Sequence, residues 1–208
     1  MKKILTLTIA LSVSSFTLQA GEKGFQRIFD GKTFKGWEGD TKKSFRIENG
    51  AVVGGQLKER IPRNEFLATM RRYTNFVLRL QVKLVGDKKP NAGIQIRTER
   101  IPNHHEVIGY QADMGPGWWG ALYDESRRRK VLARPAKDVI GKALKEGWND
   151  YEIDCRGKRI RLKINGAKTV DYTEPEDAIP QFGIIALQIH SGAPTEAWYR
   201  NIRIKELP

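Results

Sequence analysis

Phe76, Leu78, Leu80, Val82 and Leu84 alternate with Val77, Arg79, Gln81 and Lys83, and a period of two held over so long a run predicts a β-strand with one face on a core. The same alternation returns in Tyr151, Ile153 and Cys155 against Asp150, Glu152 and Asp154, and in Ile160, Leu162 and Ile164 against Arg159, Arg161 and Lys163. Asn49-Gly50 separates Ser44–Ile47 from Ala51–Val53, and Asn165-Gly166 separates Arg159–Ile164 from Ala167–Tyr172. Asn-Gly tolerates the positive φ that tight hairpin turns demand, so two hairpins are expected, the second inside a three-stranded meander over Trp148–Tyr172. Phe182–His190 and Ala197–Lys205 read as two further strands joined by a Ser191–Glu196 loop, and Lys137–Glu146 offers a helical turn or two. Many short strands at near-regular spacing predict an all-β chain, an antiparallel β-sandwich or jelly roll.

Composition narrows the class. The 208 residues are 39% hydrophobic, enough to bury one sizeable core. A single Cys excludes an intrachain disulfide, and with three His it excludes a Cys/His zinc cluster. Lys2 and Lys3 precede the apolar run Ile4–Phe16, and Leu18, Gln19 and Ala20 precede Gly21. Residues 1–20 therefore read as a signal peptide, leaving 21–208 as one domain destined for the periplasm or the medium. No Cys follows the run to carry a lipid, and no later segment is apolar enough for a membrane helix. Removing Lys2 and Lys3 lowers the formal charge from +13 to +11, a value that invites a polyanionic partner. The basic residues are dispersed, however, and dense only at Arg127-Arg128-Arg129-Lys130, with no stacking motif or recognition helix. Export also argues against nucleic acid, and a solvated basic face is the plainer reading.

Short blocks along the chain carry a resemblance. Gly24-Phe25-Gln26-Arg27-Ile28-Phe29-Asp30-Gly31-Lys32 with Gly36-Trp37, Phe45–Gly55, Asn91-Ala92-Gly93-Ile94-Gln95-Ile96-Arg97, Gly109-Tyr110-Gln111-Ala112-Asp113 and Gly120-Ala121-Leu122-Tyr123 come first. Gly147-Trp148-Asn149, Ile164-Asn165-Gly166 and Trp198–Ile204 complete the set. In this order they resemble the 3-keto-disaccharide hydrolase family, also described as 3-keto-glucoside lyase/hydratases. The resemblance implies a concanavalin-like jelly roll of two curved antiparallel sheets, with a sugar site on the concave face. Two departures stand out: Ala92 sits where the family often has Ser, and Tyr110-Gln111 where many members place an acid.

Strand parity selects candidate site residues. Gln95 and Arg97 face opposite Ala92, Ile94 and Ile96; Gln111 and Asp113 share a face; Gln188 and His190 face opposite Ile185, Leu187 and Ile189. These donors and acceptors suit sugar hydroxyls, although polar pairs on strands are as often simply solvated. Trp118-Trp119 in a Gly-rich loop offers a ring platform through Trp119, with a core role the competing reading for at least one of the two. Tyr123, Asp124 and Glu125 lie close by in sequence, and Arg127 and Arg128 make an ion-pair cluster an equal alternative for the carboxylates. His190 is the first choice of proton-transfer group. No cofactor is called for, and a divalent metal at His104-His105 would need ligands from elsewhere.

What the resemblance implies for chemistry follows from a ketone at C3, which acidifies the C2 proton of a glucoside. A base abstracts that proton, the C1 substituent leaves by β-elimination, and water adds to the unsaturated product, giving net hydrolysis. His190 or an acid, with Asp113 among the catalytic candidates, suits the proton transfer, and Arg97 suits the growing charge on the C3 oxygen. Two alternatives stand beside this: a glycosidase using Asp113 with Asp124 or Glu125, and a sugar-binding module without chemistry. In each the partner is a small sugar.

Overall fold

A computed structural model describes residues 23–208; the expected signal peptide lies outside them. The strands run β1 (Gln26–Arg27), β2 (Trp37–Glu38), β3 (Phe45–Glu48), β4 (Ala51–Gln56), β5 (Glu65–Thr69), β6 (Phe76–Val85), β7 (Ala92–Arg100) and β8 (Val107–Met114). After β9 (Leu122–Glu125) and β10 (Lys130–Ala133) comes the short helix α1 (Lys137–Ala143). The chain then forms β11 (Asn149–Arg156), β12 (Arg159–Ile164), β13 (Ala167–Thr173), β14 (Ile184–Ile189) and β15 (Thr195–Glu206). One sheet is ordered β13-β12-β11-β6-β15-β4-β3, with β1 also on β15; the other is β10-β9-β8-β7-β14-β5-β2. Every named pairing is antiparallel, and the two sheets form the jelly-roll sandwich that the sequence predicts.

The period of two sets the layers. Phe76, Leu78, Leu80 and Val82 of β6 are buried in the main core with Tyr151, Ile153 and Cys155 of β11 and Ile160, Leu162 and Ile164 of β12. From the other sheet, Ile94 and Ile96, Tyr110, Ala112 and Met114, and Ile185, Leu187 and Ile189 enter the same core. Both Asn-Gly pairs turn as expected, with Asn49 and Asn165 at φ 49° and each followed by a Gly of positive φ.

One irregularity decides what the site contains. In the β7–β8 pairing Ile96 opposes Tyr110 but Glu99 opposes Ile108, so β7 carries an extra residue there. Arg97 takes φ 50°, and Thr98 packs so close to Gly109 that a Cβ there would lie 2.4 Å from Thr98 Oγ1. A β-bulge breaks the alternation of faces, and Arg97 leaves the face of Gln95. It lies 2% exposed, donating to Thr74 O, Gly157 O, Gln181 Oε1 and Asn75 Oδ1. The expected cation at the C3 oxygen is thus a tie between loops and strand ends.

Candidate active site

On the outward face of the seven-stranded sheet, β14, β7 and β8 place Gln188 opposite Gly93 and Gly93 opposite Asp113. Gly93 brings no side chain, and a Cβ there would sit 2.6 Å from Gln111 Cγ and Cδ, so Gln111 folds across the glycine. A directional chain of hydrogen bonds results. Thr98 Oγ1 donates to Gln95 Oε1 at 3.0 Å, Gln95 Nε2 to Gln111 Oε1 at 2.5 Å, and Gln111 Nε2 to Asp113 Oδ1 at 2.6 Å. The chain ends at Asp113 Oδ2, buried with no protein partner.

The pocket that opens over Asp113 is lined by Asn91, Gln111, Asp113, Trp118, Tyr123, Glu125 and His190. Burial dominates the Asp113 carboxyl and raises its pKa to about 7; Glu125 adds to the rise, while the Gln111 hydrogen bond and Arg134 oppose it. Glu125 is lifted to about 7 as well, first by burial and then by the Glu106 charge, with the Ser126 backbone N–H and Arg129 pulling back. His190 holds Nδ1 2.6 Å from the Ser191 carbonyl. A ring nitrogen facing a carbonyl oxygen at this distance must carry the proton, which leaves Nε2 of the neutral ring as the acceptor. Asn91 Oδ1 and both amide atoms of Gln188 are also buried without protein partners. Such orphans cost free energy, and their clustering around Asp113 marks a face built for polar ligand atoms.

Other candidates lie elsewhere. Asp124, one residue out of phase with Tyr123 and Glu125, is fully buried in ion pairs with Arg127 and Arg128. Arg128 also binds Glu174 and Glu176, and Glu174 accepts from Tyr110 Oη at 2.7 Å. This cluster removes Asp124 from the site and neutralises half of the dense basic run. Trp119 packs against the main core, whereas Trp118 lines the pocket and meets Tyr123 edge to face at 6.2 Å. Both Trp118 and Trp119 N–H groups bond Gly115 O in a tight turn, whose geometry no strand periodicity encodes. Gln95 and Gln188 stay on the site face but beneath it, fully buried. His104 and His105 stack at 4.4 Å outside the pocket lining, and among the described residues no group of three or more His, Cys, Asp or Glu could hold a metal ion. Asn91 and Arg134 carry no signal in the sequence, Asn91 just before β7 and Arg134 just after β10, while of the Trp118-Trp119 pair it is Trp118, in the turn, that reaches the pocket.

Residues 24–205 match the 3-keto-α-glucoside-1,2-lyase-like domain. The chain belongs to that family. No curated protein matches this chain. Among solved structures, a candidate glycosyl hydrolase from Parabacteroides distasonis ATCC 8503 is similar over 89% of this chain and 95% of its own, at 19% identity and TM-score 0.65. The carbohydrate-binding module CBM66 from Bacillus subtilis aligns over 82% and 96%, at 12% identity and TM-score 0.62. A non-specific endo-β-1,3(4)-glucanase of family GH16 aligns over 88% and 91%, at 14% identity and TM-score 0.56. At these identities the likeness is one of fold. The family match supports a carbohydrate-active, glycosidase-like enzyme.

Proposed function

We propose that this lyase-like domain cleaves 3-keto-glucosides or 3-keto-disaccharides by elimination and hydration, outside the cytoplasm if residues 1–20 act as the leader they resemble. The observation that carries the reading is the buried Asp113 carboxyl at the end of the amide chain, one oxygen held by Gln111 and the other without a protein partner. Gln111 donates to Oδ1, so the proton of Asp113 resides on Oδ2, the oxygen left without a partner. A carboxylic acid kept neutral by burial can donate to a developing oxyanion. Asp113 thereby takes the role at the C3 oxygen that strand parity predicts for Arg97.

The remaining groups complete the step. His190 Nε2 accepts the C2 proton, and the C–H electron pair moves into a C2=C3 enolate whose oxygen receives the Asp113 hydrogen bond. The enolate then re-forms the C3 carbonyl, a C1=C2 double bond forms, and the C1–O bond breaks. Glu125, with its pKa near 7, protonates the departing oxygen. Water adds across the double bond, its oxygen to C1, and a proton returns to C2. Trp118 and Tyr123 supply aromatic walls for the ring. The test is to incubate the protein with a 3-keto-glucoside and with its parent glucoside. Release of the aglycone from the ketone alone supports the reading. Equal release from both would favour a glycosidase built on Asp113 and Glu125, and binding without release would favour a sugar-binding module.

A further inference from the structure

Arg134 lies over the Trp118 ring at 4.8 Å from guanidinium carbon to centroid, and its Nη1 donates to Gly117 O at 2.9 Å. The stack and the hydrogen bond fix the plane of the guanidinium against the pocket-lining Trp118, and among the described residues Nε and Nη2 have no acceptor. Among the described residues Arg134 forms no ion pair with a carboxylate, and neither does Arg129. Their neighbours Arg127 and Arg128 are ion-paired with Asp124, and Arg128 with Glu174 and Glu176 as well. Arg134, through its positive charge, also favours the ionised form of the Asp113 carboxyl in the pocket. An exposed arginine braced on the Trp118 ring that lines the pocket, with no carboxylate of the described residues paired to it, is placed for an anion brought in by the ligand. A planar guanidinium with two free donors matches a carboxylate.

We propose that the group leaving from C1 carries a carboxylate, stacked beside Trp118 and held by Arg134, so that Arg134 is a specificity-determining residue for an anionic aglycone. The proposal rests on the elimination reading for which end of the sugar faces Trp118. A charge pair at an exposed site favours the anionic ligand by about two- to fivefold.

The experiment compares the 3-keto-glucosides of 4-hydroxybenzoate and 4-hydroxybenzamide, which differ in charge but hardly in shape, with the amide the better leaving group. Turnover is read as kcat/KM, and binding by calorimetry, in the native chain and in Arg134→Gln. The expected result is a preference of about two- to fivefold for the carboxylate in both readouts. It should shrink as salt is raised and disappear in Arg134→Gln. Turnover of both compounds with no preference overturns this proposal and leaves elimination standing. Preferential binding of the carboxylate without turnover of either supports the charge site and overturns the elimination reading. A preference that persists in Arg134→Gln removes Arg134 from the role.

Discussion

The Gln111 amide donates to Asp113 Oδ1 at 2.6 Å while Asp113 Oδ2 stays buried and unpartnered. One carboxyl oxygen is committed to holding the group in place and the other is left for a ligand. Because the donor favours the charged form whereas burial favours the neutral one, the pKa of about 7 is the balance of the two, and burial dominates.

The alkaline limb of the pH–rate profile should therefore belong to Asp113 together with Glu125, the acid for the leaving oxygen. As Asp113 loses its proton, the donor to the C3 oxygen disappears, and kcat is expected to fall above about pH 7. Asp113→Asn separates this role from that of a base. An amide at this position can accept from Gln111 and donate to the ketone, so the variant should keep activity within about 100-fold of native and retain only the part of the alkaline limb that Glu125 sets. Asp113→Ala, lacking the donor, should lose about 10²- to 10³-fold in kcat. If Asn is as inactive as Ala, Asp113 is the base.

Stability should carry the opposite signature. The folded-state pKa of Asp113 lies above its unfolded value of 3.8, so between about pH 4 and pH 7 the native state holds the proton that the unfolded chain has lost. Native stability then declines through that window and stays low above it. Asp113→Asn is expected to match the native protein at pH 4 and to exceed it by on the order of 2–4 kcal/mol at pH 9. Denaturant unfolding of both proteins at the two pH values checks this; equal stability at pH 9 would mean that Asp113 is not penalised by burial.

Arg97 calls for a different outcome. Its guanidinium donates to Thr74 O, Gly157 O, Gln181 and Asn75, so Arg97→Met leaves several acceptors unpaired and should cost roughly 3–5 kcal/mol of folding stability. Turnover per folded molecule, measured well below the melting transition, should stay within a few fold of native. A hundredfold loss of kcat in protein of native stability would return Arg97 to the active site.

Much of the sandwich and half of the site follow from alternation. The faces of β6, β11 and β12, both Asn-Gly hairpins and the outward Gln111, Asp113, Gln188 and His190 are periodic features, and period is what a strand writes into its sequence. Arg97 was misplaced because the extra residue of β7 breaks that period without leaving a Gly or Pro at the break. The opposite strand held the clue, since Gly109 is where Thr98 needs room. Asp124 and Glu125 could not be ranked until the register of β9 on β8 set Glu125 opposite Gly109 and Asp124 opposite Tyr110. Trp118 and Trp119 exchanged roles because a turn, not a strand, aims them.

The fate of the C2 hydrogen tests the central claim most directly. A 3-keto-glucoside deuterated at C2 is turned over in ordinary water, and the label is followed by mass spectrometry in the native chain and in His190→Ala. The account predicts loss of deuterium to solvent with each turnover, no cleavage of the unoxidised glucoside, and release and label loss slowed together by about 10²- to 10⁴-fold in His190→Ala. Cleavage with the C2 label retained, or equal cleavage of the parent glucoside, would contradict it.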